Sequence, residues 1–212
     1  MKFSLNRLTA TFFLSVAMLA GLLVLAAAPR HAAPPAPATG FVLELDPAQS
    51  TVQWSLGTTL HTVHGTFAIK KGSLQLDPST GTASGEIIVD AASGKSGNES
   101  RDKKMHKEVL ESGRYEEIVF RPDRFEGKLA PEGRSEVQIH GTFVLHGSKH
   151  EMIVAAQGEL AGDRWAGRAK FSIPFVDWGL KNPSNFFLKV NHAVDLELEL
   201  KGNLRITDAP QS

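Results

Sequence analysis

The sequence predicts an all-β fold: an antiparallel closed barrel of about eight strands with one short α-helix at residues 98–112. Three observations carry this. Apolar and polar residues alternate with period two in repeated runs between residues 41 and 201. Glycine- and proline-containing turn signals such as Asp46-Pro47, Lys71-Gly72, Asp77-Pro78 and His146-Gly147 punctuate the runs. One stretch alone, GKSGNESRDKKMHKEVLESGRYEEIVF at 94–120, breaks the pattern with a clear helical signal.

Taken in order, residues 1–28 have the layout of an export segment. Lys2 and Arg7 form a positive end, and Leu8 to Ala28 is a 21-residue run without charge. Such a run reads as a signal peptide or as a retained N-terminal anchor. Ala26-Ala27-Ala28 has the shape of a cleavage site, so export to the periplasm or beyond is the expectation. Residues 29–39 form a Pro/Ala-rich linker, 40–207 the barrel domain and 208–212 a tail.

Phe41, Leu43 and Leu45 share one strand face, as do Val52, Trp54 and Leu56, then Val63, Gly65, Phe67 and Ile69. Gly85, Ile87 and Val89 repeat the pattern, followed by Trp165, Gly167, Ala169, Phe171 and Ile173. The longest run, Leu188 to Lys201, places Leu188, Val190, His192, Val194, Leu196, Leu198 and Leu200 on one face. A strand of that length spans about 45 Å and must coil. One dry and one wet face per strand is the mark of an antiparallel sheet buried on one side, and closing it removes exposed edges. The tetrapeptide HGTF recurs at 64–67 and 140–143, pointing to two similar bent strands.

Gly65, Gly85, Gly141 and Gly167 fall where large apolar side chains belong. They read either as bends in the wall or as room for a ligand. In the helix, Asn98 or Ser100 caps the start, Gly113 terminates it, and Met105, Val109 and Leu110 make an apolar stripe. Arg101-Asp102 reads as a surface ion pair or as a handle for a ligand's polar head.

Composition excludes several classes. Residues 39–212 carry 20 basic and 23 acidic side chains, and this net negative charge argues against nucleic-acid binding. The chain has no cysteine, hence no thiol catalysis, Fe–S cluster or cysteine zinc site. No nucleophile elbow, P-loop or dinucleotide fingerprint is present, and Glu86 and Glu197 fall on solvent faces, so the chain does not read as an enzyme. Histidine supplies the rival reading, a metal or redox protein of the cell envelope. His61, His64, His106, His140, His146, His150 and His192 are many for one domain, although His64, His140 and His146 fall on wet faces.

In order and spacing, these segments resemble the YceI-like family, lipocalin-like barrels associated with polyisoprenoid and other long-chain lipid binding. The resemblance rests on FVLELDPAQSTVQW at 41–54, GTF at 65–67, GNESRDKKMHKEVLES at 97–112, Ile118-Val119-Phe120, GTFVLHG at 141–147 and FSIPFVDWGL at 171–180. Glu116 stands where the family usually has proline. The resemblance implies an apolar small-molecule ligand, an isoprenoid or other lipid, and no cofactor beyond it. Trp54, Phe67, Arg101, Met105, Phe120, Phe143, Phe171 and His192 are the expected ligand-contacting residues, with His192 otherwise a hydrogen-bonded core residue. Membrane proximity and a homodimer stay open.

Overall fold

The computed structural model describes residues 39–208. The export segment, nearly all of the linker and the tail lie outside the described residues. Within them the chain forms ten antiparallel strands: β1 (Thr39–Leu45), β2 (Thr51–Gly57), β3 (Thr62–Phe67), β4 (Ile69–Asp77), β5 (Thr82–Asp90), β6 (Glu117–Lys128), β7 (Gly133–Leu145), β8 (Ser148–Ala161), β9 (Arg164–Ile173) and β10 (Val194–Asp208). The sheet closes on itself through eight of them, in the order β1-β4-β5-β6-β7-β8-β9-β10 and back to β1.

The other two strands continue the wall. Strand β10 is 15 residues long; Gly202–Asp208 pairs with β1 and Asp195–Glu199 with β2. Thus β1 and β2 occupy one wall position, split where Asp46 caps a single turn of Pro47–Gln49. Strands β3 and β4 share the next position, split at Ala68. The expectation of about eight strands therefore describes eight wall positions, two of them broken by corners.

One pole is filled. Phe41, Leu43, Leu74, Leu76, Ala83, Phe125, Leu160, Trp165 and Leu204 are all buried there. The Trp165 indole N–H donates to the Glu44 carbonyl at 3.3 Å. Gly202 makes room for it, since a Cβ there would sit 1.8 Å from Glu44 O and 2.7 Å from the indole nitrogen. On the outer wall the charged residues pair across strands, Lys170 with Glu197 at 2.9 Å and Arg121 with Glu86 at 3.1 Å. Exposed pairs of this kind contribute at most about 1 kcal/mol each.

Two sequence expectations change. The run Leu188–Lys201 is not one strand, because β10 begins at Val194 and continues to Asp208. Residues 174–193 instead form an irregular connector in which Asn182 and Asn185 side chains accept backbone N–H bonds from Ser184, Phe187 and Leu188. Asparagine competes in this way with a sheet ladder, and it overrides the alternation. The helix is also shorter than predicted. An α-helical segment, α1 (Glu99–Lys104), continues as a wider π-type turn over Met105–Val109, where Leu110 N–H reaches Met105 O at 2.9 Å. Asn98 caps it by accepting from Arg101 N–H. The terminating left-handed residue is Glu111, with φ 46°, and not Gly113.

An apolar cavity under the helix

Above the filled pole the barrel encloses a cavity of about 580 Å³. A liquid heavy atom takes about 30 Å³, water's own share, so the space admits a ligand of at least on the order of twenty heavy atoms. That lies within the usual range for small-molecule pockets. The strands supply Trp54 and Leu56 (β2), Phe67 (β3), Phe120 (β6), Ile139 and Phe143 (β7), Phe171 (β9) and Leu196 (β10). Met105, Val109 and Leu110 roof it from the helical segment, and Leu188 and Val190 close it from the connector. Exposed Arg101, Lys104 and Asn185 also border the cavity, so it opens at this pole.

Seven of the eight residues expected to contact a ligand, Trp54, Phe67, Arg101, Met105, Phe120, Phe143 and Phe171, line the one cavity. His192 does not. It precedes β10 with its side chain exposed, and only its backbone carbonyl is engaged, accepting from Val176 N–H at 3.3 Å. The displacement follows from the connector, which takes residues 188–193 out of the strand.

The glycines sort differently from either simple reading. Gly65 is filled by protein, since a Cβ there would lie 2.3 Å from the Trp54 ring and 2.4 Å from Lys95 O. Gly85 is exposed with φ 101° beside an irregularity between β5 and β6, and Gly141 lies against Pro122 at a register shift between β6 and β7. Only Gly167 borders the cavity. The room comes from Gly167 and Ala169 on β9 together with Ala156 and Gly158 on β8, the half of the patch that the sequence reading missed. At Gly158 a Cβ would meet nothing nearer than 3.9 Å. The available signal was Met152-Val154-Ala156-Gly158-Leu160, an alternation obscured by its two small members.

Polar groups fix the roof. Arg101 and Asp102 do not pair with each other; both hold Ser96. Arg101 donates from Nε to Ser96 Oγ at 2.7 Å and from Nη2 to Ser96 O at 2.8 Å, while Asp102 Oδ1 accepts from Ser96 N–H at 2.9 Å and from its hydroxyl. His106 Nε2–H donates to Gly94 O at 2.8 Å, and Nδ1 faces the Ser112 hydroxyl at 3.1 Å. Gly94 itself lies under Phe67 and Met105. Across the mouth, Lys181 Nζ reaches Glu108 Oε2 at 2.7 Å, and Lys104 Nζ donates to Pro183 O at 3.3 Å. The hydrogen bond from Lys181, then its charge, holds the Glu108 carboxyl below the usual carboxylate range. The buried Trp54 indole N–H has no acceptor among the described residues.

Three further histidines have structural neighbours, while His61 and His64 are exposed. His140, expected on a wet face, is buried with Nε2 3.1 Å from Glu126 Oε1, off the line of a hydrogen bond. The largely covered His146 packs on Tyr115, with ring centroids 4.2 Å apart, and His150 stacks flat on Trp178 at 4.0 Å. Among the described residues no three His, Asp or Glu side chains come together as a metal-binding group. Nor is any helix there long and apolar enough to cross a membrane.

The model of the YceI-like domain matches residues 43–202, most of the chain. The chain belongs to the YceI-like family. Solved structures agree on the fold. Burkholderia cenocepacia BcnA is 18% identical with a TM-score of 0.61, over 74% of this chain and 99% of that one. A polyisoprenoid binding domain from Saccharophagus degradans, implicated in plant cell wall breakdown, is 16% identical with a TM-score of 0.62, over 77% and 98%. No curated protein matches the sequence. In this YceI-like barrel the short α1 and its π-type turn thus sit over an apolar lumen.

Proposed function

We propose that the chain is an exported carrier that sequesters a long-chain apolar lipid, of polyisoprenoid or fatty-acyl type, inside the barrel. The observation that carries the reading is the cavity of about 580 Å³, walled by Phe67, Phe120, Phe171 and Met105 and opening beside the helix. Burying an apolar chain there is worth roughly 25 cal/mol per Å² before association costs. The polyisoprenoid-binding description of the Saccharophagus degradans domain supports the ligand class, and the uncharged run Leu8–Ala28 supports export. Trp54 is the natural donor to the ligand's one polar atom, since its buried N–H has no partner among the described residues, at a cost of about 1–3 kcal/mol. The reading assigns no catalysis.

Native mass spectrometry of the protein, purified without detergent from a bacterium, tests it. The expected result is a stoichiometric lipid adduct that disappears in Phe120→Arg while the β-sheet circular dichroism is retained. A stoichiometric metal with no lipid, or failure to take up added polyprenol or fatty acid, would overturn it.

A further inference from the structure

The mouth of the cavity carries a feature that ligand binding does not require. Five large hydrophobic side chains are exposed among the described residues, and Leu60, Phe186 and Phe187 stand at this rim, 76%, 87% and 87% exposed. The two phenylalanines meet edge to face at 5.1 Å. They project from a tight turn in which Asn185 Oδ1 accepts from Phe187 N–H at 2.9 Å and from Leu188 N–H at 2.8 Å. The β2–β3 turn joins them, for Thr59 N–H donates to Lys189 O at 3.0 Å and Thr58 bridges Val190.

Charge surrounds this apolar tip. Residues 95–110 and 181–189 hold seven lysines or arginines against three carboxylates, in a domain whose overall balance is negative. Arg101, Lys103, Lys104, Lys107, Lys181 and Lys189 are all exposed. Aromatic tips set in a cationic collar suit a surface with an apolar interior and anionic headgroups. The patch is continuous with the lumen, since Asn185 and Leu188 beside the tip and Lys104 of the collar also border the cavity.

We infer that this rim docks on a lipid bilayer bearing anionic headgroups: Phe186, Phe187 and Leu60 enter the headgroup–acyl boundary, the lysines meet phosphates, and the cavity opens onto the membrane. The purpose of docking rests on the lipid-carrier reading, but its physics does not.

The chain has no native cysteine, so a single introduced thiol reports one position. In the full chain, Leu60→Cys is labelled with an environment-sensitive dye and mixed with vesicles of equal parts phosphatidylglycerol and phosphatidylcholine. Thr80→Cys, in the exposed β4–β5 turn at the filled pole, is the control. The expected result is a blue-shifted, brighter Leu60 label and a silent Thr80 label. The response falls in high salt, drops in Phe186→Ser/Phe187→Ser, and weakens roughly five-fold in partitioning for each of Lys103→Gln and Lys107→Gln.

A silent Leu60 label, or an equal response at Thr80, overturns docking. So does a response that needs no vesicles and grows with protein concentration, which marks self-association, or one seen only with membrane-free protein extract. Mass spectrometry of the Phe186→Ser/Phe187→Ser protein keeps the two readings apart. A retained lipid adduct with no vesicle response leaves the carrier standing without its membrane face, whereas a vesicle response with no adduct does the reverse.

Discussion

At the scale of single residues, two glycines on the inner wall behave in opposite ways. Gly65 is occupied by the Trp54 indole, while Gly158 faces open lumen. Gly65→Val drives its new Cβ into Trp54 and the Lys95 carbonyl and costs about 1–3 kcal/mol or more, read as a lowered denaturation midpoint. Gly158→Leu meets no such wall. It buries a side chain in empty space, raises stability by about 1–2 kcal/mol and displaces the lipid adduct in mass spectrometry. A Gly158→Leu protein that keeps full lipid occupancy would remove the β8–β9 patch from the binding site. Alternation marks which face a residue takes but says nothing about what stands opposite it, so bend and room are indistinguishable at this scale without the partner strand.

Among elements, the helical roof and the connector are joined across the mouth by Lys181 and Lys104. Glu108 is an acid whose folded-state pKa is depressed. Its stabilising contribution is therefore present at neutral pH and is lost as pH falls through that depressed value. Acidification and Lys181→Met release the same tie. Stopped-flow release of a fluorescent fatty acid should quicken under either change, and in Lys181→Met the acid-side acceleration should vanish. A variant with the wild-type pH dependence would show that the tie does not gate release. The short helix was legible because Asn98, the Met105–Val109 spacing and the lysines are local signals. The connector was not, because the apolar alternation of Leu188, Val190 and His192 imitates a strand, whereas the Asn185 turn that breaks it depends on side-chain geometry. His192 was misplaced for that reason alone.

For the molecule as a whole, closure was legible and its corners were not. One-sided strands without covering helices must wrap, and they do. The breaks themselves are local, at Asp46–Gln49 and Ala68, but that β1 and β2 share one wall position follows from β10 pairing with both, a long-range pairing that no local window contains. Strand β8 was overlooked as a wall element because the small residues that create the lumen also flatten its pattern. The same pairing of β1 with β10 brings the two ends of the domain together, Thr39 standing opposite Asp208 at the pole away from the mouth. Antiparallel partners lie only about 5 Å apart. A short linker joining them, with new ends opened in the exposed turn at Pro131-Glu132, should give a permuted chain with the same circular dichroism and the same lipid adduct. Failure of the permuted chain to fold would show that the order of strands, and not only their adjacency, is needed. If it folds, the barrel is a cartridge: it can hang from a stalk, a neighbouring module or a support by its sealed end while its working end turns freely outward.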